Sequence, residues 1–258
     1  MEEAPVSLQE MLRRALTGQV ELGMGEMIVK SEGERSWNGH SQERIQMVRK
    51  SSETVDLFGA DEKVIHTPQF DSLKAHYDTI CTCQLCPLGQ TRTKFVYGVG
   101  STEADLIFIG EAPGRDEDLQ GEPFVGRAGQ LLDRVLAAMG LLREEVYIGN
   151  ILKCRPPNNR DPLSEEAEKC LPHLLEQITL IRPKLICALG RIAGQILLKT
   201  TAPLGKLRGQ WYEFEGVPLM VTYHPAALLR SPGYKKDLWA DMQVLKKRLD
   251  ELRMGQKT

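Results

Sequence analysis

From Asp105 onward the chain alternates between short, continuously apolar runs and longer stretches with apolar residues at helical spacing. Leu106-Ile107-Phe108-Ile109 reads as a buried strand, and a glycine-bearing loop leads from it to a helix predicted over 128–139. Val146-Tyr147-Ile148 is a second strand, with a long proline-rich loop and a helix over 164–181 behind it. Leu185-Ile186-Cys187-Ala188-Leu189 is a third, followed by a helix over 192–198. Leu219-Met220-Val221-Thr222-Tyr223 is a fourth, and a helix over 235–252 closes the pattern. Strands apolar on both faces, separated by helices, predict an α/β fold. The expected form is a three-layer α/β/α sandwich around a four-stranded parallel sheet.

Residues 1–75 are patterned differently. Leu8, Met11, Leu12 and Ala15 fall on one face of a short helix predicted over 7–16. From Lys30 to about Pro68 the sequence is polar with single scattered apolar residues, the composition of a mostly disordered extension or linker. The expected division is therefore an extension over 1–75 and one domain over 76–258.

In parallel sheets of this kind ligands bind beyond the carboxyl ends of the strands. Each predicted strand ends in small or polar residues: Gly110-Glu111-Ala112-Pro113-Gly114, Gly149-Asn150, Gly190-Arg191 and His224-Pro225. Glycine-rich loops are common in such folds, but four segments converging in this way point to one functional crevice.

Composition narrows the class. A hydrophobic fraction of 41% and a charged fraction of 26% are those of an ordinary globular protein. No apolar run approaches the roughly 18 residues that span a bilayer. The amino terminus, MEEAPVSLQE, is acidic where a signal peptide is basic, and the expected location is a reducing cytoplasm, away from membranes. The net charge of −2 makes no case for a nucleic-acid partner. Its distribution says more: residues 1–75 carry 9 Lys/Arg against 13 Asp/Glu, whereas 199–258 carry 11 against 6. A basic carboxyl-terminal end suits phosphate contacts, although a solvated helix face reads the same way.

Six cysteines in a cytosolic chain point to metal or redox chemistry rather than disulfides. Cys83 and Cys86 form a C-x-x-C pair, and Cys154 and Cys170 are two distant partners. Together they can supply four thiolates to zinc or to an iron–sulfur cluster, and spacing does not choose between the two. Cys187 falls inside a strand and reads as a core residue, and Cys81 as a spare thiol.

The loop over 110–118 is glycine-bearing but lacks the Lys-Ser/Thr of a P-loop and the G-x-G-x-x-G of a dinucleotide site. Its acids, Glu111, Asp116, Glu117 and Asp118, would repel a phosphate. A pocket for an uncharged ring fits better, with Phe124 either stacking on that ring or filling the core. His224, at a strand tip, can donate to a developing anion or serve a structural role. Arg230 and Lys235 near helix amino termini suit DNA phosphates. These residues also allow a noncatalytic DNA-binding protein with a structural metal.

The segments GEAPGRDED, PFVGRAGQLLD, NILKCRPPNNRDP and HPAALLR, together with the four cysteines, resemble the family-4 uracil-DNA glycosylases from about Cys83 to about Leu249. The resemblance implies a monomeric, monofunctional enzyme of base excision repair, in a bacterial cytoplasm or nucleoid. It would flip uracil from single- or double-stranded DNA and hydrolyse the N-glycosidic bond. Residue by residue, it implies that Gly110, Ala112, Pro113 and Gly114 form the water-side motif, with Glu111 and Glu117 as catalytic acids. Phe124 would stack on the base, Asn150 read its edge, Asn159 and Arg230 contact substrate, and His224 face uracil O2. Cys83, Cys86, Cys154 and Cys170 fall where the family holds a [4Fe–4S] cluster. Other branches carry Asp or Asn where this chain has Ala112, so the handler of the attacking water is left to Glu111 or Glu117. A branch with a covalent histidine has an inserted basic loop; residues 125–130 here run on without one, which implies ordinary hydrolysis.

Overall fold

A computed structural model describes residues 67–255; the helix predicted over 7–16 and nearly all of the polar stretch after it lie outside the described residues. The elements run α1 (Leu73–Ile80), α2 (Leu88–Thr91), β1 (Val99–Gly100), β2 (Leu106–Gly110), α3 (Arg115–Gln120), α4 (Arg127–Ala138) and β3 (Tyr147–Asn150). They continue with α5 (Ser164–Ile181), β4 (Leu185–Leu189), α6 (Arg191–Leu197), α7 (Leu204–Leu207), β5 (Trp211–Phe214), β6 (Val217–Thr222), α8 (Pro225–Arg230) and α9 (Lys235–Met254).

The strand order is β1-β3-β2-β4-β6-β5. The inner four are parallel, and they are the four strands the apolar runs predict. The sheet is wider than expected, because β1 and β5 add an antiparallel strand at each edge. β1 has only two residues, too few to show any period. β5 left a readable trace: Glu215 and Gly216 both have positive φ, 50° and 78°, the conformation of a two-residue hairpin turn. Its alternating, partly exposed Trp-Tyr-Glu-Phe does not look like a buried run.

Period two along each strand divides the core. Leu106, Phe108, Ile148, Cys187 and Met220 meet the apolar stripes of α4 and α9, among them Leu132, Leu136, Met242 and Leu245. Ile107, Ile109, Tyr147, Ile186 and Val221 face the opposite layer, where α5, α6 and α7 supply Leu174, Ile178, Leu197 and Leu207. Both faces of the sheet are therefore covered, and the open ground lies at the strand ends. Cys187 is fully buried in the first of these layers, as its place in a strand implies.

The packed chain begins earlier than residue 76. The Gln69 and Phe70 N–H groups donate to Glu176 Oε1 on α5 at 2.8 and 3.0 Å, and the buried His76 has its Nδ1 2.9 Å from the Tyr97 hydroxyl. A boundary at 75/76 cuts through α1. The apolar pattern of 67–80 is too short to separate from the polar stretch before it.

Candidate active site

The carboxyl ends of β2, β3, β4 and β6 open on a cavity of about 530 Å³. Its wall includes Glu111, Ala112, Pro113, Gly114, Glu117, Phe124, Asn150, Asn159, His224 and Arg230. The convergence expected from the strand ends is present. Gly110 lies just behind the wall.

Asn150 ends β3, and Gly110 ends β2 as its register partner. Asn150 is 2% exposed, and its Oδ1 is buried with no hydrogen-bond partner among the described residues. Burying an amide oxygen without a donor is costly, and this one belongs to a residue of the cavity wall. It fits only because residue 110 has no side chain: a Cβ there would overlap Asn150 Oδ1 and come within 2.7 Å of Phe124 Cζ.

Phe124 has φ 54°, a left-handed conformation that non-glycine residues rarely adopt and that costs on the order of 1–3 kcal/mol. Glu117 holds it there. Its Oε1 accepts the N–H groups of both Val125 and Gly126 at 3.1 Å, pinning the loop that carries the ring. Gly129 completes the arrangement, since a side chain there would overlap the Phe124 main chain. Glu117 is thus a loop brace through Oε1, and the same side chain lines the cavity where a role in handling water was expected of it. The Phe124 ring stacks on His224, with centroids 5.4 Å apart and planes at 28°.

His224 follows β6 and caps α8. Its Nδ1 accepts the Ala226 N–H at 3.1 Å, so in the neutral ring the proton sits on Nε2. Burial, and to a lesser degree the Arg230 charge, lowers its pKa to about 4. At neutral pH the ring is an uncharged N–H donor. Gly190, with φ 94°, lets the end of β4 pass beside it; a Cβ there would stand 3.0 Å from that of His224.

Glu111 is the other perturbed acid. Burial pushes its pKa up to about 7, Asp161 adds to the rise, and Arg191 partly offsets it. Arg191 also pairs with Asp161 at 2.8 Å, which ties the loop after Cys154 to the end of β4 at the cavity mouth. In that loop Asn158 and Asn159 both have positive φ, which asparagine tolerates better than most residues. Asn159 is exposed, and its Oδ1 accepts from Arg155 Nε at 2.7 Å. It lines the cavity, but that oxygen is engaged.

The four paired cysteines gather on the α5 side of the sheet, behind this wall. Burial pushes the Cys154 thiol up, Arg92 pulls it down, and Cys86 and Cys83 push it further. Burial likewise pushes Cys170 up to about 12; Lys153 opposes the rise, while Cys154 and Cys86 reinforce it. All four sulfurs are therefore electrical neighbours, whereas Cys81 donates weakly to Asp78 O and stands apart. Among the described residues no group of three or more His, Cys, Asp or Glu side chains is arranged to hold a single metal ion. The donor set fits a cluster: all thiols, with N–H groups aimed at sulfur. Arg92 Nη1 lies 3.2 Å from Cys154 Sγ, and the Lys153 N–H lies 3.3 Å from Cys170 Sγ.

Sequence reasoning missed Lys153 and Gln177. Both are fully buried, and they are bonded to each other behind Asn150. The signal was available in NILKCRPP, where a lysine stands among residues that must be buried.

Residues 97–243 match the model of the uracil DNA glycosylase superfamily. The chain is 47% identical over 174 residues to the type-4 uracil-DNA glycosylase of Archaeoglobus fulgidus, an overlap of 64% of this chain and 87% of that one. With the type-4 enzyme of Saccharolobus solfataricus the identity is 44% over 188 residues, covering 69% and 87%. With that of Thermotoga maritima it is 44% over 151 residues, covering 58% and 79%. Family match, relatives and cavity agree: the chain belongs to the uracil-DNA glycosylase superfamily, among the type-4 enzymes.

Proposed function

We propose that this uracil-DNA glycosylase takes a flipped uracil into the cavity at the strand ends, reads it with Asn150 and releases it by hydrolysis with help from His224 and Glu111. The observation that carries the reading is the orphaned Asn150 Oδ1, a buried acceptor with no donor among the described residues. Uracil N3–H supplies that donor, and the Asn150 amide N–H donates in turn to uracil O4. Cytosine presents the opposite pattern and leaves both unmet.

The remaining steps follow from the surrounding groups. Turning the nucleotide out of the stack costs a few kcal/mol, and stacking on Phe124 returns about 1–3 kcal/mol. As the C1′–N1 bond breaks, its electron pair stays with uracil and charge gathers on O2. His224 Nε2–H donates to that oxygen, a role worth about 2.7–4 kcal/mol when the donor is preorganised. A neutral donor is suited to this, because it needs no proton from solvent at working pH. Water adds to C1′, and its proton passes to Glu111, the carboxyl whose pKa near 7 lets it exchange a proton at neutral pH. Arg230 at the cavity rim is placed for a backbone phosphate.

A [4Fe–4S] cluster on Cys83, Cys86, Cys154 and Cys170 is our reading of the thiol set. When bound it supplies a structural clamp between α5, the segment after β3 and the C-x-x-C turn. The experiment is single-turnover excision from oligonucleotides bearing uracil or cytosine, with EDTA present. The wild-type protein should release uracil without Mg²⁺. Asn150→Asp places a carboxylate against O4 and should lose uracil excision by up to about 10⁴-fold, with slow cytosine release appearing. Unchanged uracil excision by folded Asn150→Asp protein would remove Asn150 from base reading.

A further inference from the structure

Lys153 is fully buried, yet it takes no part in the mechanism above and does not line the cavity. A buried lysine is an expensive way to fill space that a methionine would fill without desolvating an amine. Its contacts give it a task. Nζ reaches back three residues to donate to the Asn150 main-chain oxygen at 2.8 Å and donates also to Gln177 Oε1 at 2.6 Å. Two donors suffice for these bonds, whatever the charge on the amine. Gln177 is itself held, its Nε2 donating to Tyr97 O at 3.0 Å and to the Tyr147 hydroxyl at 2.9 Å.

The other end of Lys153 belongs to the cysteine cradle. Its N–H points at Cys170 Sγ, and the next residue is Cys154. One residue therefore touches both the thiol set and the end of β3. We propose that Lys153 is a positioning residue for base reading: it fixes the peptide of Asn150, and hence the amide that meets uracil, against the frame formed by Gln177 and the cysteine cradle. The inference rests on the reading of Asn150 given above. It deepens the role of the cradle, because clamping Cys154 and Cys170 then sets the aim of Asn150 as well as the fold.

The test is a double-mutant cycle of Lys153→Met and Asn150→Ala, read by single-turnover uracil excision and checked by iron content. A misplacement of the reading group costs about 10²-fold in rate. Lys153→Met should show a loss of that order alone and almost none on top of Asn150→Ala. Binding of noncleavable DNA carrying 2′-fluorouridine or 2′-fluorocytidine gives a second readout, and the preference for uracil should collapse in Lys153→Met. If Lys153→Met fails to retain iron, Gln177→Met replaces it, since it removes the acceptor that holds Lys153 Nζ against the frame and leaves residues 150–154 unchanged. Equal rate losses with and without Asn150, or an intact uracil preference, would overturn the proposal. A harmless Asn150→Ala would instead overturn the reading beneath it.

Discussion

Asn150 and Gly110 occupy paired positions at the ends of neighbouring strands, and the amide oxygen of the first fills the space where a side chain of the second would stand. The bare glycine is a requirement of the cavity wall rather than of backbone freedom, because its conformation is that of an ordinary strand. Gly110→Ala should therefore displace Asn150, Phe124 or both. The expected result is a loss of uracil excision of about 10²-fold, with iron content and thermal stability little changed. Single-turnover rates beside a melting curve decide this, and a normal rate would show that the wall yields cheaply.

The raised pKa of Glu111 gives a signature in pH. A carboxylate that accepts the proton of water is active only when ionised, so excision should rise as pH increases through about 7. Glu111→Gln should lower the rate by about 10²-fold and remove that inflection. Stability moves the other way. A carboxyl with a folded pKa above its unfolded value near 4.5 favours the folded state at low pH and loses that contribution as pH rises toward 7. Glu111→Gln should remove this slope. A pH–rate profile identical in both proteins would assign the water to another group.

The thiols separate cleanly by position. Cys154→Ser and Cys170→Ser each remove a buried thiol of the proposed cluster site, and Cys154→Ser also leaves Arg92 without its sulfur acceptor. Both proteins should lose iron and acid-labile sulfide and unfold at lower temperature. Cys187→Ala lies on the opposite face of the sheet and should keep its full iron content, at the cost of a small cavity in the core. Stoichiometric zinc in purified protein would replace the cluster with a single ion.

The sequence disclosed the parts of this molecule governed by local pattern. β2 and β4 are apolar at every position because both faces are covered, and such runs are visible without a structure. Asn150 and His224 were legible because they stand in distinctive motifs at strand ends, and Phe124 because it stands in a glycine-bounded loop between α3 and α4. The bracing role of Glu117 was not legible in the sequence. Its work is to hold the Val125 and Gly126 amides, and that pairing depends on how α3 and the next loop fold against each other. Lys153 and Gln177 escaped notice for the same reason. They lie 24 residues apart and meet only because α5 packs behind β3. β5 was missed although its Glu-Gly turn was readable, because an edge strand exposes one face.

The start of the domain offers a last prediction, and it turns on ten residues, 67–76. Deleting 1–66 removes none of the described contacts and should leave uracil excision and melting temperature close to those of the full chain. Deleting 1–76 removes the donors from Gln69 and Phe70 that satisfy Glu176, a side chain only 9% exposed. It also removes His76, which is buried against the Tyr97 hydroxyl and the His173 ring. Tyr97 belongs to the network behind Lys153, since its carbonyl accepts from Gln177. The longer deletion should thus loosen α5, which carries Cys170, and with it one side of the cysteine cradle. The expected outcome is a clear fall in melting temperature and in iron content, with excision reduced in proportion to the iron lost. Melting curves and iron analysis of the two truncations measure this directly. Equal stability of both would place the boundary at 76 and make the Glu176 contacts dispensable.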